Sequence, residues 1–149
     1  MGRQSGDLAL HAAISGGAEF LMTPENPISK EYIIETLKEY KREDRTHAIV
    51  VVTENMIDVH QFAKEITDES KFTSNATVLG YVQRGGSPVP YDRMLATRMG
   101  SYAVTLIEQN ITGVSLGIEN DKLIYLPLEI VINNRRRKNP LYRLVEDVS

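Results

Sequence analysis

Apolar positions along the chain fall into two alternating kinds of segment, short β-branched runs and longer stretches with helical spacing. Leu10 and Ile14 stand one helical turn apart among alanines between Gly6 and Ser15, and Gly16-Gly17 follows. That predicts a closely packed helix with a glycine stop. Glu19-Phe20-Leu21-Met22, halted by Thr23-Pro24, predicts a short buried strand. Ser29 is a good N-cap for Lys30–Lys41, where Ile33, Ile34, Leu37 and Tyr40 form an apolar stripe. The run Ala48–Thr53 predicts a strand buried on both faces, as in a parallel sheet. Asp58 opens a helix through Val59, Phe62, Ala63 and Ile66, and Asn75–Gly80 reads as the next strand.

A Gly- and Pro-rich stretch, Gly85–Pro90, then leads to a long helix over Tyr91–Gln109. Val114–Ile118 and Leu123–Leu126 are short strand candidates around the turn-like Glu119-Asn120-Asp121, and the tail Leu128–Val148 is mixed. The alternation predicts an α/β fold of three layers, a mostly parallel sheet with helices on both faces. Ligands in such sheets sit beyond the carboxyl ends of the strands.

Composition narrows the classes. The chain has 149 residues, 42% hydrophobic and 25% charged, as in an ordinary globular domain with room for one sizeable core. That is short for an enzyme needing separate pockets for a nucleotide and an acceptor. Net charge is −3, with 17 basic and 20 acidic residues, so nothing draws it to nucleic acid or anionic membrane. Cysteine is absent, which excludes disulfides, thiolate metal sites and thiol nucleophiles. No apolar run is long enough to span a bilayer, and the start lacks a signal-peptide layout, so a cytoplasmic protein is expected.

Three places at strand ends or helix starts can carry chemistry. Met1-Gly2-Arg3 precedes the first helix; it is either a backbone-and-Arg grip on an anion or a solvated terminus. Thr53-Glu54-Asn55 follows the clearest strand; Glu54 accepts from sugar hydroxyls or caps the next helix. Gly80-Tyr-Val-Gln-Arg-Gly-Gly-Ser87 follows a further predicted strand. Its paired glycines free the backbone, Gln83 and Arg84 supply donors, and Tyr81 offers a flat face, which favours an anion or phosphate-sugar site over a plain turn. The histidines lack metal-ligand spacing, and Arg135–Lys138 is short, without interleaved aromatics, and reads as solvated surface.

The segment GYVQRGGSPVPYDRMLATRMGSYAV, from Gly80 to Val104, resembles the signature of ATP-dependent phosphofructokinases. MGRQSGDLALHAAISGGAEF is similar to that family's substrate-binding MGR segment and following helix, and HAIVVVTEN to the strand delivering a substrate-binding glutamate. Order and spacing match the carboxyl-terminal half of the bacterial type. The resemblance implies transfer of the γ-phosphoryl of ATP, with Mg²⁺, to the 1-hydroxyl of fructose 6-phosphate, in glycolysis. It assigns Met1, Gly2, Arg3 and Glu54 to the sugar, and Tyr81, Val82, Gln83 and Arg84 to the sugar and its 6-phosphate. It also implies a homo-oligomer, usually a tetramer, with an effector site between subunits. Gly17, Ala18 and Glu19 match the backbone-and-carboxylate part of that site, Glu19 toward an effector's Mg²⁺, and Arg45, Thr46 and His47 its basic part.

Departures accompany the match. Tyr81 stands where the family commonly has histidine, Asn75 where it has a cross-subunit arginine, and Glu43 where a positive side chain is usual. The loss of cations implies weak or absent effector control. Nothing in the chain resembles the family's glycine-rich ATP loop, its Mg²⁺-binding aspartate or its catalytic aspartate. Residues 1–149 are therefore expected to be one fructose 6-phosphate-binding lobe, without catalytic residues of its own, inactive without the ATP half. Two other readings are a non-catalytic sugar-phosphate-binding or regulatory module, and the same portion of a pyrophosphate-dependent relative.

Overall fold

The computed structural model describes residues 5–133 and 139–148. The chain divides into two compact units, Met1–Arg84 with Lys138–Ser149, and Gly85–Arg137.

In the first unit, α1 (Asp7–Gly16) ends as the glycines require. Gly17 takes φ +64, and its N–H and that of Ala18 return to Ile14 and Ala13 carbonyls at 3.3 and 2.9 Å. β1 (Phe20–Met22) follows. α2 (Lys30–Arg42) starts where Ser29 Oγ accepts the Tyr32 N–H at 3.1 Å, and it buries Ile33, Ile34 and Leu37. β2 (Val50–Val52) pairs in parallel with β1, Phe20 beside Val50 and Met22 beside Val52. α3 (Val59–Ser70) is capped by Asp58, whose Oδ1 accepts the His60 and Gln61 N–H groups at 3.0 Å each. The C-terminal helix α6 (Tyr142–Val148) belongs to the same unit.

Side-chain alternation along β1 divides the core in two. Phe20 and Met22 pack with Ile33, Ile34 and Leu37 of α2 and Phe62 and Ile66 of α3. Leu21 packs with Leu10 and Ala13 of α1 and Tyr142 and Val145 of α6. Helices thus cover both faces of a parallel pair, and each fully buried large apolar side chain stabilises by about 1.5–3 kcal/mol. β2 is only half-buried, not closed in on both faces as its composition predicts. The cause is a cleft of about 480 Å³ between β2 and the extended segment after α3, floored by Leu37, Phe62 and Ile66.

That cleft also accounts for the main correction. Residues 71–79 form no strand; the Asn75–Gly80 strand is replaced by extended chain, then a 3₁₀ turn, Gly80–Arg84. Burial alternates from Phe72 to Thr77, whereas Val78 and Leu79, inside the expected strand, are both exposed. A ladder needs a neighbouring backbone, and the cleft separates this segment from β2.

In the second unit, α4 (Pro90–Glu108) begins with proline in its first turn, and Asp92 Oδ2 accepts the Val89 N–H at 2.9 Å. β3 (Val114–Glu119) and β4 (Lys122–Pro127) form an antiparallel hairpin, not members of a parallel sheet. Asn120 and Asp121 have φ +49 and +62, the two-residue turn whose twist suits a hairpin. Arg98 fastens the turn, donating to Asp121 Oδ1 at 3.1 Å and to its carbonyl at 2.8 Å. α5 (Leu128–Asn133) follows. Two separate two-stranded sheets, one parallel and one antiparallel, therefore stand among the described residues where one mostly parallel sheet is expected.

Candidate functional site

The turn after β2 is built by the strand ladder itself. Thr53 N–H still bonds Met22 O at 2.9 Å, then Met56 N–H closes on Thr53 O at 3.3 Å. Asn55 takes φ +66, a conformation asparagine tolerates, and Glu54 stands exposed at the turn. The cap of α3 is Asp58, four residues on, so Glu54 is not needed for that task. Thr53 is buried, and its hydroxyl has no hydrogen-bond partner.

The Gly80–Arg84 turn is bounded by glycines at φ +62 and +84, at Gly80 and Gly85, values that favour residues without a Cβ. Tyr81 and Val82 are exposed and Gln83 is half-buried. The Arg84 guanidinium lies 5.0 Å from the Tyr81 ring centroid, a cation–π contact that leaves its N–H edge available to an anion.

The other predicted residues separate. Asn75 lines the cleft together with Thr46 and His47. Thr46 Oγ1 is 3.2 Å from His47 Nδ1, and Arg45 stacks 3.9 Å from the Tyr40 ring centroid. On the opposite edge of β2, Glu19 accepts the Ile49 N–H at 2.7 Å, and the Gly17 and Ala18 N–H groups are already spent on α1. Met1, Gly2 and Arg3 lie outside the described residues. No group of three or more His, Cys, Asp or Glu that could hold a metal ion occurs among the described residues.

One cluster escapes sequence reasoning. Tyr142, Thr23 and Glu25 converge on the backbone at Gly6, just ahead of α1. Burial pushes the Tyr142 hydroxyl above its ordinary value, the Thr23 hydrogen bond opposes this, and the Glu25 charge adds to it. The position of Thr23-Pro24-Glu25 just past β1 is a usable signal, but nothing in the sequence links it to a tyrosine 119 residues away.

A parallel pair flanked by helices on both faces defines an α/β protein. The Phosphofructokinase family model matches residues 1–107, and the chain belongs to that family. It is 46% identical over 137 residues to the ATP-dependent 6-phosphofructokinase of Haemophilus ducreyi, covering 92% of this chain and 42% of that protein. The enzyme of the same name from Erwinia tasmaniensis is 44% identical over 137 residues, covering 92% and 43%. That from Aliivibrio fischeri strain MJ11 is 43% identical over 150 residues, covering 99% and 47%. The chain thus spans less than half the length of these relatives.

Proposed function

We propose that residues 1–149 form the fructose 6-phosphate-binding lobe of a 6-phosphofructokinase, acting with an ATP half that this sequence does not resemble. The observation that carries this is the Gly80–Arg84 turn, with Arg84 stacked on Tyr81 inside the matched region. In this reading Arg84 binds the 6-phosphate through its N–H edge, Tyr81, Val82 and Gln83 line the sugar, and Glu54 accepts from its hydroxyls. Arg3, with Met1 and Gly2, contacts the same substrate. The chain orients the acceptor; phosphoryl transfer from Mg²⁺-bound ATP is a matter of positioning and charge stabilisation, and requires the other half.

The working enzyme is a cytoplasmic homo-oligomer in this proposal, with a three-layer, mostly parallel sheet. The cleft beside β2 supports the last point, because a strand added there would find the free edge of β2 on one side and the alternating segment 72–77 on the other. The ³¹P resonance of fructose 6-phosphate is expected to broaden on addition of the chain, and fructose is expected not to compete. Equal competition by fructose would count against a phosphate-directed site.

A further inference from the structure

We propose that the cleft beside β2 seats an extended apolar strand donated by the part of the enzyme outside these 149 residues, and that this strand sets the spacing between Glu54 and the Gly80–Arg84 turn. The inference deepens the proposed function and rests on it, since that reading supplies the rest of the enzyme.

The backbone of β2 is paired along one edge. Phe20 N–H donates to Ile49 O at 3.2 Å and Thr53 N–H donates to Met22 O at 2.9 Å, so the odd-numbered residues from Ile49 to Thr53 face β1. Backbone groups of successive strand residues turn to opposite edges, which aims the N–H and C=O of Val50 and Val52 into the cleft that both residues line. Among the described residues no second strand pairs with β2, and such an edge is a template for another extended chain. The far wall, residues 72–77, is itself extended. Phe72 packs on the same α2–α3 core as Val50 and Val52, so both walls lie over one helical layer with a gap between them.

The walls select the occupant's chemistry. Val59, Phe62, Ala63 and Ile66 of α3 and Leu37 of α2 make an apolar floor, and Val51, on the other face of β2, packs on the α1–α6 cluster. A strand covered on both faces takes a continuous apolar, β-branched sequence, as β2 does. A second copy of this chain has no such strand to lend, because β1 pairs with β2 and β3 with β4. The related enzymes have the length: this chain covers 42% of the Haemophilus ducreyi protein and 47% of that from Aliivibrio fischeri. Chain order ties the strand to the site. Glu54 follows β2, and the Gly80–Arg84 turn follows the extended segment, so the two groups given to the substrate hang on opposite walls of the cleft. A strand bonded to both walls fixes their separation. Its affinity comes from main-chain bonds and its specificity from alternate side chains.

The test uses the full chain and a lysine-flanked peptide with a central Val-Ile-Val-Ile-Val run, beside the same peptide N-methylated throughout that run, which keeps the side chains and removes the N–H donors. Amide hydrogen exchange is read residue by residue, and affinity for fructose 6-phosphate by calorimetry. The unmethylated peptide is expected to slow exchange at Val50 and Val52 while leaving Val51, which faces β1, unchanged. It is also expected to raise sugar-phosphate affinity by about tenfold, the scale of coupling between linked sites. The methylated peptide is expected to do neither. Unaltered exchange at Val50 and Val52, or equal protection by both peptides, overturns the strand seat. Protection of the same amides that grows with the concentration of the chain alone makes a second copy the occupant and overturns it too. Protected amides with unmoved sugar-phosphate affinity overturn the link to the site. Absence of sugar-phosphate binding with and without the peptide overturns the proposed function, whatever the exchange at Val50 and Val52.

Discussion

A methyl group at Gly6 has no place to go, because Thr23 and the Tyr142 hydroxyl occupy its volume. Gly6→Ala is expected to lower stability by about 1–3 kcal/mol, the usual cost of overpacking, as read by urea denaturation. Tyr142 also leaves a signature in alkali. Its folded-state proton is held more tightly than the ordinary value of 10.0, chiefly by burial. The stability this represents is fully present below pH 10 and is lost as the pH rises through the raised folded value. Tyr142→Phe should flatten that alkaline decline; an unchanged slope would show that the phenol does not contribute. At this scale the exposed turn positions of Glu54 and Arg84 are legible in the sequence, because glycines and strand ends announce exposed backbone beside donors and acceptors. Tyr142 is not legible, because its partner Thr23 is 119 residues away and no local pattern encodes the contact.

Elements with their own caps are the ones that local chemistry determines. Ser29 and Asp58 start α2 and α3 at the expected residues, and Gly17 ends α1 in the left-handed conformation. Ser29→Ala is expected to cost about 1 kcal/mol and to lower the urea midpoint; a change within error would mean that tertiary packing alone fixes the helix start. Strands are less legible because pairing is a property of two segments. The segment 72–77 carries alternating burial without a partner backbone, and Val78 and Leu79 are both exposed. Val114–Glu119 and Lys122–Pro127 find each other across Asn120-Asp121, where positive φ at two successive residues selects an antiparallel hairpin.

For the molecule as a whole, each unit has its own balance of buried and exposed surface. The first has a two-sided core around β1, whereas in the second Leu106 is the buried member of the long helix α4. Met94, Val104 and Ile107 of α4 and Ile130, Val131 and Ile132 of α5 stand exposed. If the proposed function holds, effector control is expected to be weak. Gly17 and Ala18 have spent their N–H groups on α1, and Glu19 is engaged by Ile49. A nucleotide titration that strongly shifts sugar-phosphate affinity would overturn that expectation. The central claim, a sugar-phosphate site centred on Arg84, is tested most directly by calorimetry of the chain with fructose 6-phosphate, beside Arg84→Ala. Saturable heat is expected from the unaltered chain, with affinity falling about 10- to 100-fold in the variant, as one or two charge-assisted bonds to phosphate are lost. Equal heats from the two proteins would contradict it.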